Sequence, residues 1–366
     1  MAQRLVVAWG ASVRRREKAE KRGFILERPL AMVTLDEGKC KQVAEILRKI
    51  EVPPANEDDR LPGMEVTNLP NFYLAVVAIC HQTSPQGGVQ LRGQLADGTE
   101  KFGWDYLRSR WAERVVASPS LNTPSGWAQL QLEDVEALFV DELGRSSLTD
   151  CAGRASLLRD LGEHFRTAGT KGAADLLIRS ESRLESAVPA GLYRRLAEIR
   201  AYRDPVRKKS SFFLELMRSQ CGWQFVDVEN LSAPVDYHEV RGHFRLGTVV
   251  IEDPALLNAI NAGAEVTPEQ DVAIRSAVSK AIRRISELLS RSDVATLHYL
   301  FWNLFRRCCG RSEQHCGSCG AACGLPDRYR QAFASVNASA CLLNAVCSSA
   351  GAEHKLTEHR CVTDYY

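Results

Sequence analysis

Three groups of residues in this chain have the types and spacing to do chemistry. The first centres on Asp236, which follows Pro234-Val235 and precedes the run Tyr237-His238-Glu239-Val240-Arg241-Gly242-His243-Phe244-Arg245-Leu246-Gly247. Proline cannot sit inside a helix, so Asp236 falls near a helix start, where its carboxylate can cap free backbone N–H groups and still face a cleft. There it could stabilise a developing positive charge or orient an attacking water. The plain alternative is an ordinary cap on a buried helix. The second group is Arg207-Lys208-Lys209. Neighbouring cations and desolvation both lower a lysine pKa, and a neutral amine can form a Schiff base. Lys209 is the candidate, with Lys208 as its alternative and a solvated charged turn as the plain reading. The third group is Cys309, Cys316, Cys319 and Cys323, four cysteines within fifteen residues. Such a set can hold zinc or a [4Fe-4S] cluster. One close pair flanked by longer gaps is not the two matched knuckles that would argue for zinc, and on spacing both remain open. Cys308 adjoins Cys309 and is an alternative first ligand.

The elements that must position these groups read mostly as helices. Val240, Phe244 and Leu246 are spaced to pack the helix after Asp236 inward, and Gly247 suits its end. A helix is predicted from Asp36 to Ile50, and Asn68-Leu69-Pro70 opens a strongly apolar one through Phe72, Leu74, Val76 and Ile79 to His81-Gln82. Val89 to Leu95 alternates like a short strand and Asp97-Gly98 is a turn, which predicts a small β-hairpin. Trp104, Tyr106 and Trp111 follow at near-helical spacing. Residues 131–200 carry successive apolar stripes, with a helix opening at Pro189. Thr267-Pro268-Glu269-Gln270 is a helix start that leads an amphipathic run to Leu289. Asp293 to Phe305 forms one more helix, ending at Cys308. The segment 11–22 is basic and mixed in charge, either a solvated helix face or a loose arm. Cys341, Cys347 and Cys361 lie in the tail without an assigned role.

The run Val235, Asp236, His238, Arg241, Arg245, Leu246 and Gly247 resembles the end of the helix-hairpin-helix/Gly-Pro-Asp signature of base-excision DNA glycosylases. The cysteines resemble those of its iron–sulfur branch, the endonuclease III and adenine glycosylase group, whose pattern is Cys-x6-Cys-x2-Cys-x5-Cys. Cys309, Cys316 and Cys319 match, while the gap to Cys323 is two residues shorter than the family's. Lys209-Ser210-Ser211 followed by Phe212-Phe213-Leu214 is similar to the second half of the family hairpin. Its glycine-rich half, which lets backbone N–H groups approach a DNA phosphate, is replaced by Asp204-Pro205. The archaeal 8-oxoguanine glycosylases also lack a standard glycine hairpin. The resemblance covers roughly residues 68–325. It implies Asp236 as the catalytic carboxylate, Lys209 as a lyase amine, and a [4Fe-4S] cluster that ties a loop presenting Arg306, Arg307 and Arg311 to phosphate. Gln82, by position at the end of the first core helix, would contact the base or the opposite strand. Tyr237, Trp104 and Trp223 are further base-pocket candidates, each equally at home in a core.

The totals are compatible with this reading. A chain of 366 residues with 45% hydrophobic and 25% charged residues can build one large or two ordinary domains. Net charge is only +2, although 47 cationic residues can still be distributed unevenly. No apolar run approaches a membrane span and no signal peptide is evident, so a cytoplasmic monomer is expected. The expected architecture is mainly α, a two-lobed helical glycosylase-like fold with a C-terminal cluster loop and a hairpin insertion. Its expected parts are an N-terminal segment (1–67), a barrel-like lobe (68–200), a hairpin and Asp motif (201–247), C-terminal helices with the cysteine loop (248–325), and a tail (326–366). The expected activity is excision of a damaged or modified base from double-stranded DNA, with or without lyase action. The rivals are an N-glycosidase for a free modified nucleoside or nucleotide, as in queuosine salvage, and a non-catalytic iron–sulfur nucleic-acid-binding protein.

Overall fold

The structure, a computed structural model, describes residues 32–54, 61, 63–290, 293–312, 314, 316–317, 324–334, 336, 340–352 and 355–366. The basic segment 11–22 and the predicted ligands Cys319 and Cys323 lie outside the described residues. Helices dominate. In chain order the elements are β1 (Val33–Leu35), α1 (Glu37–Leu47), α2 (Leu69–Ala78), β2 (Arg92–Gln94), β3 (Glu100–Phe102), α3 (Gly103–Ala117), α4 (Pro124–Gln129), α5 (Leu132–Leu138), α6 (Cys151–Thr167), α7 (Ala173–Arg179) and α8 (Leu192–Leu196). Then follow α9 (Lys208–Cys221), α10 (Tyr237–Leu246), β4 (Val249–Ile251), α11 (Pro254–Asn261), α12 (Pro268–Leu289), α13 (Val294–Arg307) and α14 (Asp327–Ala334). None of the described helices is long and apolar enough to cross a membrane.

Two hydrophobic cores divide the helices. The first gathers Phe72 and Val76 of α2, Trp111 of α3, Trp127 of α4, Leu158 and Leu161 of α6, and Phe213 of α9. The second gathers Val43 and Leu47 of α1, Val240 and Phe244 of α10, Val278 and Ile282 of α12, and Phe301 of α13. The chain leaves the first core at Leu231 and enters the second at Ala233, three residues before Asp236. The expected segment 201–247 therefore straddles two lobes: α9 packs on α2, and α10 packs on α13. Antiparallel pairing of Val33 with Ile251 and Leu35 with Val249 fastens the N-terminal part to the second lobe.

Local signals built these elements as their chemistry requires. Asp36, Asp253, Thr267 and Asp293 each cap a helix through a side-chain oxygen, an arrangement that stabilises a helix by about 1 kcal/mol. Thr267 and Gln270 form a reciprocal capping box. The predicted hairpin is present, with Arg92 opposite Phe102. The helix expected to open at Pro189 begins instead at Leu192, after Gly191. At Gly242 a Cβ would come within 2.0 Å of the Phe305 ring, so α10 and α13 can approach this closely only over a glycine.

Candidate active site

A cleft of about 930 Å³ opens between the lobes. One wall is Trp104, Arg108, Lys208 and Phe212 from the first lobe; the other is Asp236, Tyr237, His298 and Trp302 from the second. Among the described residues its lining holds seven cationic side chains (Lys101, Arg108, Lys208, Arg241, Arg306, Arg307 and Arg311) against the three carboxylates of Glu100, Asp105 and Asp236. The uneven distribution that a net charge of +2 permits is realised here. Arg306 bridges the lobes by an ion pair to Asp105 at 2.8 Å. Arg241 and Arg311 share the buried carboxylate of Glu358.

Asp236 is the N-cap of α10. Its Oδ1 accepts the His238 N–H at 2.7 Å, and its Oδ2 accepts the Trp302 indole N–H at 3.1 Å. In return, the Asp236 N–H donates to Glu239 Oε2 at 3.3 Å, which completes a capping box. Buried Val235 and Val240 hold the turn from either side. The carboxylate is thus fixed through both oxygens on a half-buried site that faces the cleft.

A second pair lies behind it. Glu239 is fully buried, and burial followed by the charge of Asp236 holds its carboxyl well above the usual range. His298 is pushed down to about 4 by burial. Glu239 Oε1 and His298 Nδ1 are 2.6 Å apart. Burial disfavours the charged form of both partners. Tyr237 is pushed up to about 12, by burial first and then by Asp236. Its ring lies under the Arg311 guanidinium. His238 is driven well below its usual range by burial and Arg241, and its Nδ1 lies 2.9 Å from Arg241 Nη2.

The two lysines part company. Lys208 lines the cleft, with its ammonium over the Phe212 ring and 3.2 Å from Cys80 Sγ. Lys209 does not. It is wholly buried against α2, where its amine donates to the Ala78 carbonyl at 2.5 Å, and burial brings its pKa down to about 7. Burial separates Lys209 from the cleft: α9 points adjacent residues in different directions, and of the two lysines Lys208 lines it. Gln82 is also displaced from its expected role. Its backbone is left-handed, its N–H donates to the Tyr366 carbonyl and its side-chain amide to that of Thr363, so it anchors the C-terminal tail. Trp223 packs edge-on against Phe213 in the first core and does not line the cleft. Trp104, edge-on to Phe212, does line it. Trp302 and His298 escaped sequence reasoning; Trp302 stands two turns of α13 before the cysteines, a position that offered no motif.

The Asp204-Pro205 turn explains the missing glycines. Asp204 Oδ1 accepts the Val206 N–H at 3.0 Å, and Oδ2 accepts the Lys208 N–H at 2.8 Å. The same carboxylate takes both Arg275 amino groups, at 2.8 and 2.9 Å. The backbone N–H groups at this turn are already occupied.

Behind α10, a small cavity is walled by Cys308, Cys309, Cys316, Cys341 and Cys347. Cys309 and Cys316 are two of the predicted ligands; Cys341 and Cys347 come from the tail. The signal that could have singled them out is their gap: five residues separate Cys341 from Cys347, as in the last gap of the iron–sulfur pattern, which Cys319 and Cys323 do not reproduce. No family model matches this chain, and no curated protein matches it in sequence.

Proposed function

We propose that the chain cleaves N-glycosidic bonds, acting on double-stranded DNA that carries a damaged or modified base. One observation carries this reading: the carboxylate of Asp236 is fixed through both oxygens and faces a large cationic cleft. Loss of a base leaves an oxocarbenium-like sugar. A preorganised carboxylate stabilises that charge, or orients the water that captures it, without reorganising as the bond breaks. The cationic walls suit a phosphodiester backbone. A base withdrawn from the stack would meet the rings of Trp104, Phe212 and Tyr237 on the cleft wall. If the enzyme is also a lyase, Lys208 is the amine with access. A [4Fe-4S] cluster is the cofactor of this reading, with zinc as its alternative.

The Asp204 turn favours a second reading. Because Val206 and Lys208 direct their N–H groups to Asp204, this turn offers a duplex phosphate less than a glycine hairpin would. A free modified nucleoside or nucleotide is then the substrate. Lesion-bearing duplexes and modified nucleosides, incubated with wild type and with Asp236→Asn, decide between them. Base release from a duplex, abolished in Asp236→Asn, is the expected result. Release only from nucleosides establishes the second reading, and binding without any release leaves a nucleic-acid-binding protein. Borohydride trapping that needs Lys208 and not Lys209 would mark a lyase.

A further inference from the structure

We propose that this chain holds a [4Fe-4S] cluster on Cys309, Cys316, Cys341 and Cys347, a ligand set drawn half from the loop after α13 and half from the C-terminal tail. All four wall one cavity. Six residues separate Cys309 from Cys316, and five separate Cys341 from Cys347, so each pair can flank the same void from its own loop. The two loops are joined directly: the Cys341 N–H donates to the Cys316 carbonyl at 3.0 Å. The remaining walls include Leu246, Leu304 and Phe305, an apolar shell of the kind that shields a cluster from water.

The electrostatics fit an anionic thiolate cluster. Arg245, itself buried, places Nη1 3.1 Å from Cys309 Sγ, and the Lys355 ammonium lies 3.7 Å from Cys316 Sγ. A buried cation beside a sulfur is costly unless that sulfur carries negative charge. Arg245 and Arg241 also clamp the Cys309 carbonyl, at 3.0 and 2.9 Å, which orients this loop against α10. Cys308 walls the cavity too, but Cys309 is the one whose sulfur lies beside Arg245. Sulfurs set around a void suit a cluster in which each iron takes one thiolate. On binding, each cysteine gives up its thiol proton and forms one Fe–S bond, with no change in sulfur oxidation state.

The loop this site would brace carries Arg311 to the cleft, and α13, which enters it, carries Arg306 and Arg307. The ligand assignment does not depend on what the cleft cleaves. The full-length protein is purified without oxygen, and iron, acid-labile sulfide and zinc are measured per chain, with the visible absorbance and the electron paramagnetic resonance of the reduced form. Wild type is expected to hold four irons and four sulfides per chain. Cys341→Ser and Cys347→Ser are expected to lose the cluster, while the double variant C319S/C323S and Cys308→Ser keep it. Loss in C319S/C323S, retention in C341S/C347S, or stoichiometric zinc in wild type overturns the proposal. Should the tail variants fail to fold, retention in C319S/C323S supports it and loss there refutes it. None of these readings uses DNA or turnover, so failure of the glycosidic reading would leave them intact.

Discussion

Among the aspartates that hold helix entrances in this protein, Asp236 and Asp204 have opposite fates. Asp236 caps α10 and faces the cleft; Asp204 caps the turn into α9 and is wholly enclosed. Their local chemistry is the same, a carboxylate accepting backbone N–H groups. The difference comes from what the rest of the chain brings to the second oxygen. Asp236 receives a neutral indole from Trp302, on a helix that stops at the cleft wall. Asp204 receives a guanidinium from Arg275, which also binds Asp271, itself held by His359 and Tyr366 of the tail. A capping carboxylate is available for chemistry only where no long-range cation claims it.

This comparison can be broken at Arg275. Arg275→Met leaves the Asp204 and Asp271 carboxylates buried without their cation, and unfolding in urea is expected to show a loss of about 3–5 kcal/mol. A loss below about 1 kcal/mol would mean that the enclosed turn is not held electrostatically. The reverse holds at the other helix. Asp236→Asn keeps a cap at α10 and is expected to lower turnover about 10²–10³-fold at nearly unchanged stability. If Asp204→Asn instead gave the turnover defect with stability intact, the two roles would have been assigned the wrong way round.

The adjacent lysines sharpen the same contrast through pH. Burial in the native chain brings Lys209 down to about 7 from its ordinary value of 10.5. Between those values the unfolded chain binds the proton and the native chain does not, so this group makes stability rise with pH across that window. Lys209→Met is expected to remove that rise in a series of urea titrations from pH 7 to 10, with the wild-type curve subtracted. An unchanged slope would show the amine to be protonated in the native state. The smallest effect is expected at Trp302. Trp302→Phe keeps the ring and removes the N–H bond to Asp236, which should lower the catalytic rate about tenfold and leave substrate affinity largely intact. An effect confined to affinity would make Trp302 a base-stacking group.

Much of the frame was legible. Asp236 as an N-cap, the hairpin turning at Asp97-Gly98, and the Thr267–Gln270 box each depend on residues within four positions of one another, and all are present. The candidate site was legible in part. Asp236, Tyr237 and Trp104 do line the cleft, while Lys209, Gln82 and Trp223 do not. Lys208 and Lys209 have the same composition around them, and only the packing of α9 on α2 sends one amine to the cleft and the other to the Ala78 carbonyl. Gln82 is withdrawn by Thr363 and Tyr366 from the far end of the chain.

The sequence by itself determined where helices start and stop and which faces are apolar, because capping, turn chemistry and periodicity act over a few residues. Tertiary structure alone decided which polar groups remain open. Asp204 met Arg275 seventy-one positions away, and Cys341 and Cys347 came to face Cys309 and Cys316 across an intervening stretch of twenty-four residues. Burial and long-range pairing set whether a charged or sulfur-bearing side chain can meet a ligand, and those are properties of the packed chain.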